Sequence, residues 1–230
     1  MPAVSQLLVL MTIFAVDESR VSSKVNLTRW GNWIILAGGL GLFGGSSWTA
    51  ARPVGQVHSL LTRADYAKLP SQREQLYQQA TLADPLAAEP WERLAEVFFT
   101  KWRSTADPDD TDFQRAVMAQ QAAVERNPLS FHTYRTLGLM YNAHAESSGR
   151  REDHRAAVRE MQTALVRYPH NAELQADSAE VYAAAGDADL AAVTANNALK
   201  QDQINRAAGH SDKWLTDKVQ QRMESLSTGR

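Results

Sequence analysis

The sequence predicts an all-α protein: a solenoid of stacked helical hairpins preceded by one or two transmembrane helices. Three observations carry that expectation. An apolar run over 30–48 holds no ionisable residue. Three prolines, Pro85, Pro128 and Pro169, recur at nearly even distances, each followed by the same helical spacing of residues. The composition also changes near residue 55. Half of the 12 glycines (Gly31, Gly38, Gly39, Gly41, Gly44, Gly45) and most long apolar runs precede it, and Ala, Gln, Glu and Arg in helical periodicity follow it.

At 230 residues the chain can bury a sizeable core in one or two domains. Its net charge of -2 offers no basic field to nucleic acid. It has no cysteine, which excludes disulfides, thiolate nucleophiles and thiolate metal sites but leaves the compartment open.

The run over 30–48 predicts a transmembrane helix at 30–49. Nineteen residues at about 1.5 Å each span roughly 28 Å, near the ~30 Å hydrocarbon core. Trp30, Trp33 and Trp48 sit where indoles prefer the headgroup level, and Arg29 and Arg52 bracket the run. Ala37, Gly41 and Gly45 form a small-residue stripe suited to close helix–helix packing, or simply make the span thin and flexible. Residues 1–16 hold a shorter apolar run, read as a second, short transmembrane helix, with a buried or interfacial helix as the alternative. It lacks the basic start of a signal peptide. The loop 17–29 carries Arg20, Lys24 and Arg29, which the positive-inside tendency assigns to the cytoplasm. Everything after Trp48 is then expected on the outer side, in a bacterium the periplasm.

After a linker and first helix over 50–69, repeats are expected over 70–204. Six residues beyond each proline stand Trp91, Leu94, Ala95 and Phe98; then Tyr134, Leu137, Gly138 and Tyr141; then Gln175, Ser178, Ala179 and Tyr182. The spacing i, i+3, i+4, i+7 is one helix face, with a small residue in the third place each time. A second pattern precedes the prolines: Ala116 and Ala123 before Pro128, then Ala157, Met161 and Ala164 before Pro169. Ala191, Ala195 and Ala198 continue it. Gln120 stands where a large apolar residue is expected.

This alternation resembles the tetratricopeptide repeat (TPR) signature over about 70–201, and the unit from Tyr134 to Pro169 is its best instance. The prolines lie 43 and 41 residues apart, more than the usual period of about 34. The excess is expected as loops at 104–111 and 146–153, where insertion costs little. The resemblance implies paired helices, the small residues letting them approach and each pair burying its apolar face on the next. Gln72 to Ala83 supplies a helix ahead of the first full pair. A capping helix is expected over 212–226, with Trp214, Leu215, Val219, Met223 and Leu226 on one stripe, within a C-terminal part over 205–230.

No catalytic constellation is visible. G-x-S-x-G, H-E-x-x-H, P-loop and G-x-G-x-x-G patterns are all missing. The acidic run at Asp107, Asp109, Asp110 and Asp112 lacks the glycine and closing glutamate of an EF-hand and reads as helix-start carboxylates. The histidines His58, His132, His144, His154, His170 and His210 show no ligand spacing. No catalytic residue, metal or cofactor is expected.

The resemblance also implies a concave groove lined by the outward residues of the first helix of each pair. Those positions are Glu89, Glu92, Glu96 and Phe99, then His132, Arg135, Leu139 and Asn142, then Glu173 and Glu180. Such a groove would be acidic at both ends with a basic, polar middle. Arg135 and Leu139 occupy places where chaperone-binding relatives use a Lys/Asn clamp, so that ligand is not implied. The leading expectation is a membrane-anchored, non-catalytic scaffold binding a protein or peptide partner. A second is the C-terminal portion or split partner of an O-antigen ligase/polymerase-type enzyme, resembled in the paired apolar runs and the Arg52-Pro53 exit. A third is a soluble TPR protein with an apolar oligomerisation helix.

Overall fold

Helix starts along the chain are marked by residues suited to them. Proline stands in the first turn of α2 (Pro70–Ala83) and of α3 (Glu89–Ser104), where its missing N–H removes no intrahelical bond. The side chains of Asn171, Asp187 and Thr216 cap α7 (Ala172–Ala184), α8 (Ala188–Ala207) and α9 (Asp217–Ser227), each accepting from the N–H three residues on. Between them lie α4 (Asp110–Arg126), α5 (Phe131–Ser148) and α6 (Arg151–Arg167). A helix over 52–65 is α1.

The computed structural model describes residues 52–105 and 110–228. The short helix expected over 1–16, the loop 17–29, the span 30–49 and the stripe Ala37, Gly41, Gly45 lie outside the described residues. Among the described residues, no helix is long and apolar enough to cross a membrane. The chain divides into two compact units, Met1–Ser59 and Leu60–Arg230.

The second unit is all-helical, and neighbours in sequence pack as hairpins: α3 with α4, α5 with α6, α7 with α8. α2 closes one end on α3, and α9 packs on α8 at the other. Tyr77 of α2 donates to the Asp65 carboxylate at 2.9 Å. Burial first, and this hydrogen bond next, push the Tyr77 hydroxyl up to about 12.

The repeat pattern is the core. Leu94, Ala95, Phe98, Leu137, Gly138, Ser178, Ala179 and Tyr182 are buried, as are Ala116, Ala123, Ala157, Met161, Ala164, Ala191, Ala195 and Ala198. Gly138 shows why the third place must be small. A Cβ there would stand 3.2 Å from Met161 Cγ and 3.3 Å from the Ala157 carbonyl oxygen. Tyr182, Met161, Leu174 and Val181 form one apolar cluster, each burial worth about 1.5–3 kcal/mol where it is complete. A second cluster joins Ala172, Ala176, Ala179, Ala195 and Ala198 to Leu215 and Met223.

One device recurs in successive repeats. Arg126 lies over the Trp91 ring at 4.7 Å and donates to the Pro85 carbonyl at 2.6 Å. One repeat later Arg167 lies over Tyr134 at 4.7 Å and donates to its hydroxyl at 3.1 Å. Each arginine, two residues before the closing proline, ties the second helix of a pair to the start of the first.

Two expectations are corrected. The loop expected at 146–153 is helix: α5 continues to Ser148 and α6 begins at Arg151. Gly149, at φ 70°, closes α5 in the left-handed conformation, and its N–H donates to the Ala145 carbonyl at 2.8 Å, so two residues suffice for the turn. The longer repeat is therefore spent on longer helices. The capping helix expected from 212 begins at Asp217, because the Thr216 cap defines its first turn. A short 3-10 turn, Ser211–Lys213, precedes it. Trp214 is extended, and the Leu215 N–H donates to buried Asp202 at 2.7 Å.

Candidate functional site: the acidic groove

Outward positions one turn apart on α3 and α5 face each other across a groove of about 900 Å³. Glu89, Glu92, Glu96 and Phe99 supply the α3 wall, His132, Leu139 and Asn142 the α5 wall, and Glu180 reaches in from α7. Eight of the ten expected positions thus border one space.

Arg135 and Glu173 do not. The Arg135 guanidinium bridges α5 and α7, donating to Asp177 at 2.5 Å and to Glu173 at 2.7 Å. The basic middle expected from Arg135 is therefore neutralised within the fold. Partly buried Asp177 is held above the usual carboxylate range by desolvation, which outweighs the charge of Arg135.

The groove also takes residues that sequence reasoning left out, among them Arg93, Gln120, Thr136 and Glu146. Glu146 lies one turn beyond Asn142, whose Nδ2 donates to its carboxylate at 2.8 Å. Its place is hidden in the sequence because 146–153 reads as loop. Gln120 is conspicuous there as a polar residue in an apolar place. It is 1% exposed, and its Nε2 donates to the Thr133 carbonyl at 2.9 Å. Charge in the groove is mainly negative. Arg93 sits 3.8 Å from both Glu89 and Glu96, an exposed and loose pairing. Glu92 is held above the usual carboxylate range, by partial burial first and by the charge of Glu89 next.

His144 has a structural place. It is buried, with Nδ1 2.7 Å from Asp153 and Nε2 3.1 Å from Asp110. Asp112 holds Lys101 at 2.9 Å, so the described aspartates of the acidic run serve the junction of α3, α4 and α5. Among the described residues, no group of three or more His, Cys, Asp or Glu could hold a metal ion.

Known structures share this helical arrangement. TTC0263, a thermophilic TPR protein of Thermus thermophilus, superposes with a TM-score of 0.56 at 18% identity, covering 89% of this chain and 98% of its own. The fold is that of a TPR protein. Two crystal structures of MamA are also similar. One has a TM-score of 0.54 at 18% identity over 72% of this chain and 87% of MamA. The other has 0.53 at 20% identity over 70% and 79%. At such identities the likeness concerns the TPR fold alone. No family model and no curated protein matches the sequence.

Proposed function

We propose that the chain is a membrane-anchored, non-catalytic scaffold whose TPR groove binds a protein or peptide partner. The single observation that carries the binding part is the groove itself, in which Glu89, Glu92, Glu96, Phe99, His132, Leu139, Asn142 and Glu180 converge from three helices on one space. A TPR stack offers such a surface because each hairpin buries its apolar side on the next and leaves the first-helix faces unpaired. The anchor is proposed from the uncharged run over 30–48 and its flanking tryptophans. The outer, periplasmic placement of the repeats is proposed from Arg20, Lys24 and Arg29.

Photo-crosslinking in intact membranes tests this reading. A photoreactive residue at Leu139 should capture a discrete partner that the same group at Met118, exposed on α4 outside the groove, does not. Equal capture at both positions would remove the groove from the reading. Carbonate extraction should leave the chain in the membrane pellet, and protease should reach the repeats only after the outer barrier is opened.

A further inference from the structure

The unspent polar chemistry of the groove is one-sided. Gln120 uses its amide nitrogen on the Thr133 carbonyl, which fixes the orientation of the amide. Its Oε1 is buried without a hydrogen-bond partner. Asn142 repeats the arrangement: Nδ2 is spent on Glu146, and Oδ1 is buried and unpartnered. The same groove is lined by the carboxylates of Glu89, Glu92, Glu96, Glu146 and Glu180. The cations on the walls are Arg93, held loosely by Glu89 and Glu96, and Arg103, whose guanidinium stands 5.9 Å from the Phe99 ring; Lys218 and Arg222 of α9 also act on Glu180. His132 is exposed at the rim. The groove thus presents acceptors in excess, and an acceptor buried without a donor is costly until a ligand supplies one.

We propose that the groove docks a cationic peptide segment of a partner protein. Its lysine or arginine side chains would donate to Gln120, Asn142 and the surrounding glutamates. Their aliphatic stems would lie along Phe99 and Leu139. This rests on the scaffold reading above and names the chemistry of the partner. A single metal ion is a poor occupant, since among the described residues no cluster of ligands converges tightly enough to hold one. A space of about 900 Å³ suits several side chains of a peptide. The negative walls disfavour nucleic acid.

The test is fluorescence anisotropy on the full chain in detergent, with a labelled helical peptide of Lys, Leu and Ala, and with a counterpart carrying Glu for Lys. The lysine peptide should bind, weaken with added salt, and lose about tenfold in affinity on Glu92→Gln with Glu180→Gln. Glu125→Gln, on α4 outside the groove, should change nothing. Gln120→Met removes the buried acceptor while supplying the large apolar residue the repeat expects. It should keep the fold intact, as read by circular dichroism, and weaken binding several-fold. Binding of the lysine peptide that ignores all groove substitutions would overturn the proposal. So would preference for the glutamate peptide. If that preferred peptide is displaced by Leu139→Arg, the scaffold reading survives and only the cationic partner falls. If neither peptide responds to Leu139→Arg and the crosslink at Leu139 is also missing, both fall. Self-association abolished by Leu139→Arg would make a second copy the occupant and overturn the cationic partner.

Discussion

The imidazole of His144 lies flat on the ring of Phe113, centroids 3.8 Å apart and planes 5° from parallel. The pair joins the second helix of the first hairpin to the first helix of the next. Trp102 packs on both rings, at 5.5 Å from Phe113 and 5.4 Å from His144. Asp153 and Asp110 hold the two imidazole nitrogens from the edges. His144→Ala should therefore open a cavity and leave the largely buried Asp153 carboxylate without its imidazole partner, costing about 3 kcal/mol in urea unfolding. A double-mutant cycle with Phe113→Ala should show clear non-additivity; additive costs would mean that the stack contributes nothing of its own.

Gly138 sets the approach of α5 and α6. Alanine in a helix interior ordinarily gains about 1 kcal/mol over glycine. Here the added Cβ meets Met161 and a backbone carbonyl, so Gly138→Ala should forgo that gain. Gly138→Val should cost about 2 kcal/mol, read as a drop in thermal midpoint. A valine variant as stable as the parent would mean that the two helices are not held this close.

Glu92 links stability to pH. Its folded-state carboxyl is held above the ordinary 4.5, so the group's contribution is present below that value and is lost as pH rises through the raised one. Glu92→Gln has no proton to lose. The variant should melt higher than the parent at about pH 7, and the two should converge near pH 4. The same change weakens the proposed docking, so the groove keeps its charge at the expense of stability. Identical melting of the two proteins at neutral pH would count against this.

Arg135 belongs to the fold and not to the groove. Arg135→Ala should leave Asp177 without its partner in a partly buried place, costing about 2 kcal/mol in a denaturant titration. Glu173→Ala should cost far less, because the Glu173 carboxylate is mostly in water. Equal costs would show that Asp177 is not the partner that matters.

Much of this was legible from periodicity alone. Helical spacing says which side of a segment is apolar, and a small residue that recurs in the third place says where two helices come close. Leu94, Ala95, Leu137, Gly138, Ala157 and Met161 could be assigned to the core on those grounds, and eight outward positions could be assigned to one face. Such patterns are local, because each helix carries its own record of which face is hidden.

The tertiary structure decided what lies opposite each exposed charge. Whether Arg135 faces a ligand or Asp177 depends on a residue one whole repeat away, and no local spacing encodes that distance. Gln120 looks like a flaw in the pattern until Thr133 is seen to take one end of its amide and leave the other unspent. Gly149 turned an expected loop into two longer helices, which carried Glu146 into the groove wall. Backbone periodicity is set within a turn or two of the chain, whereas the electrostatics of a groove arises between helices and exists only once they are stacked.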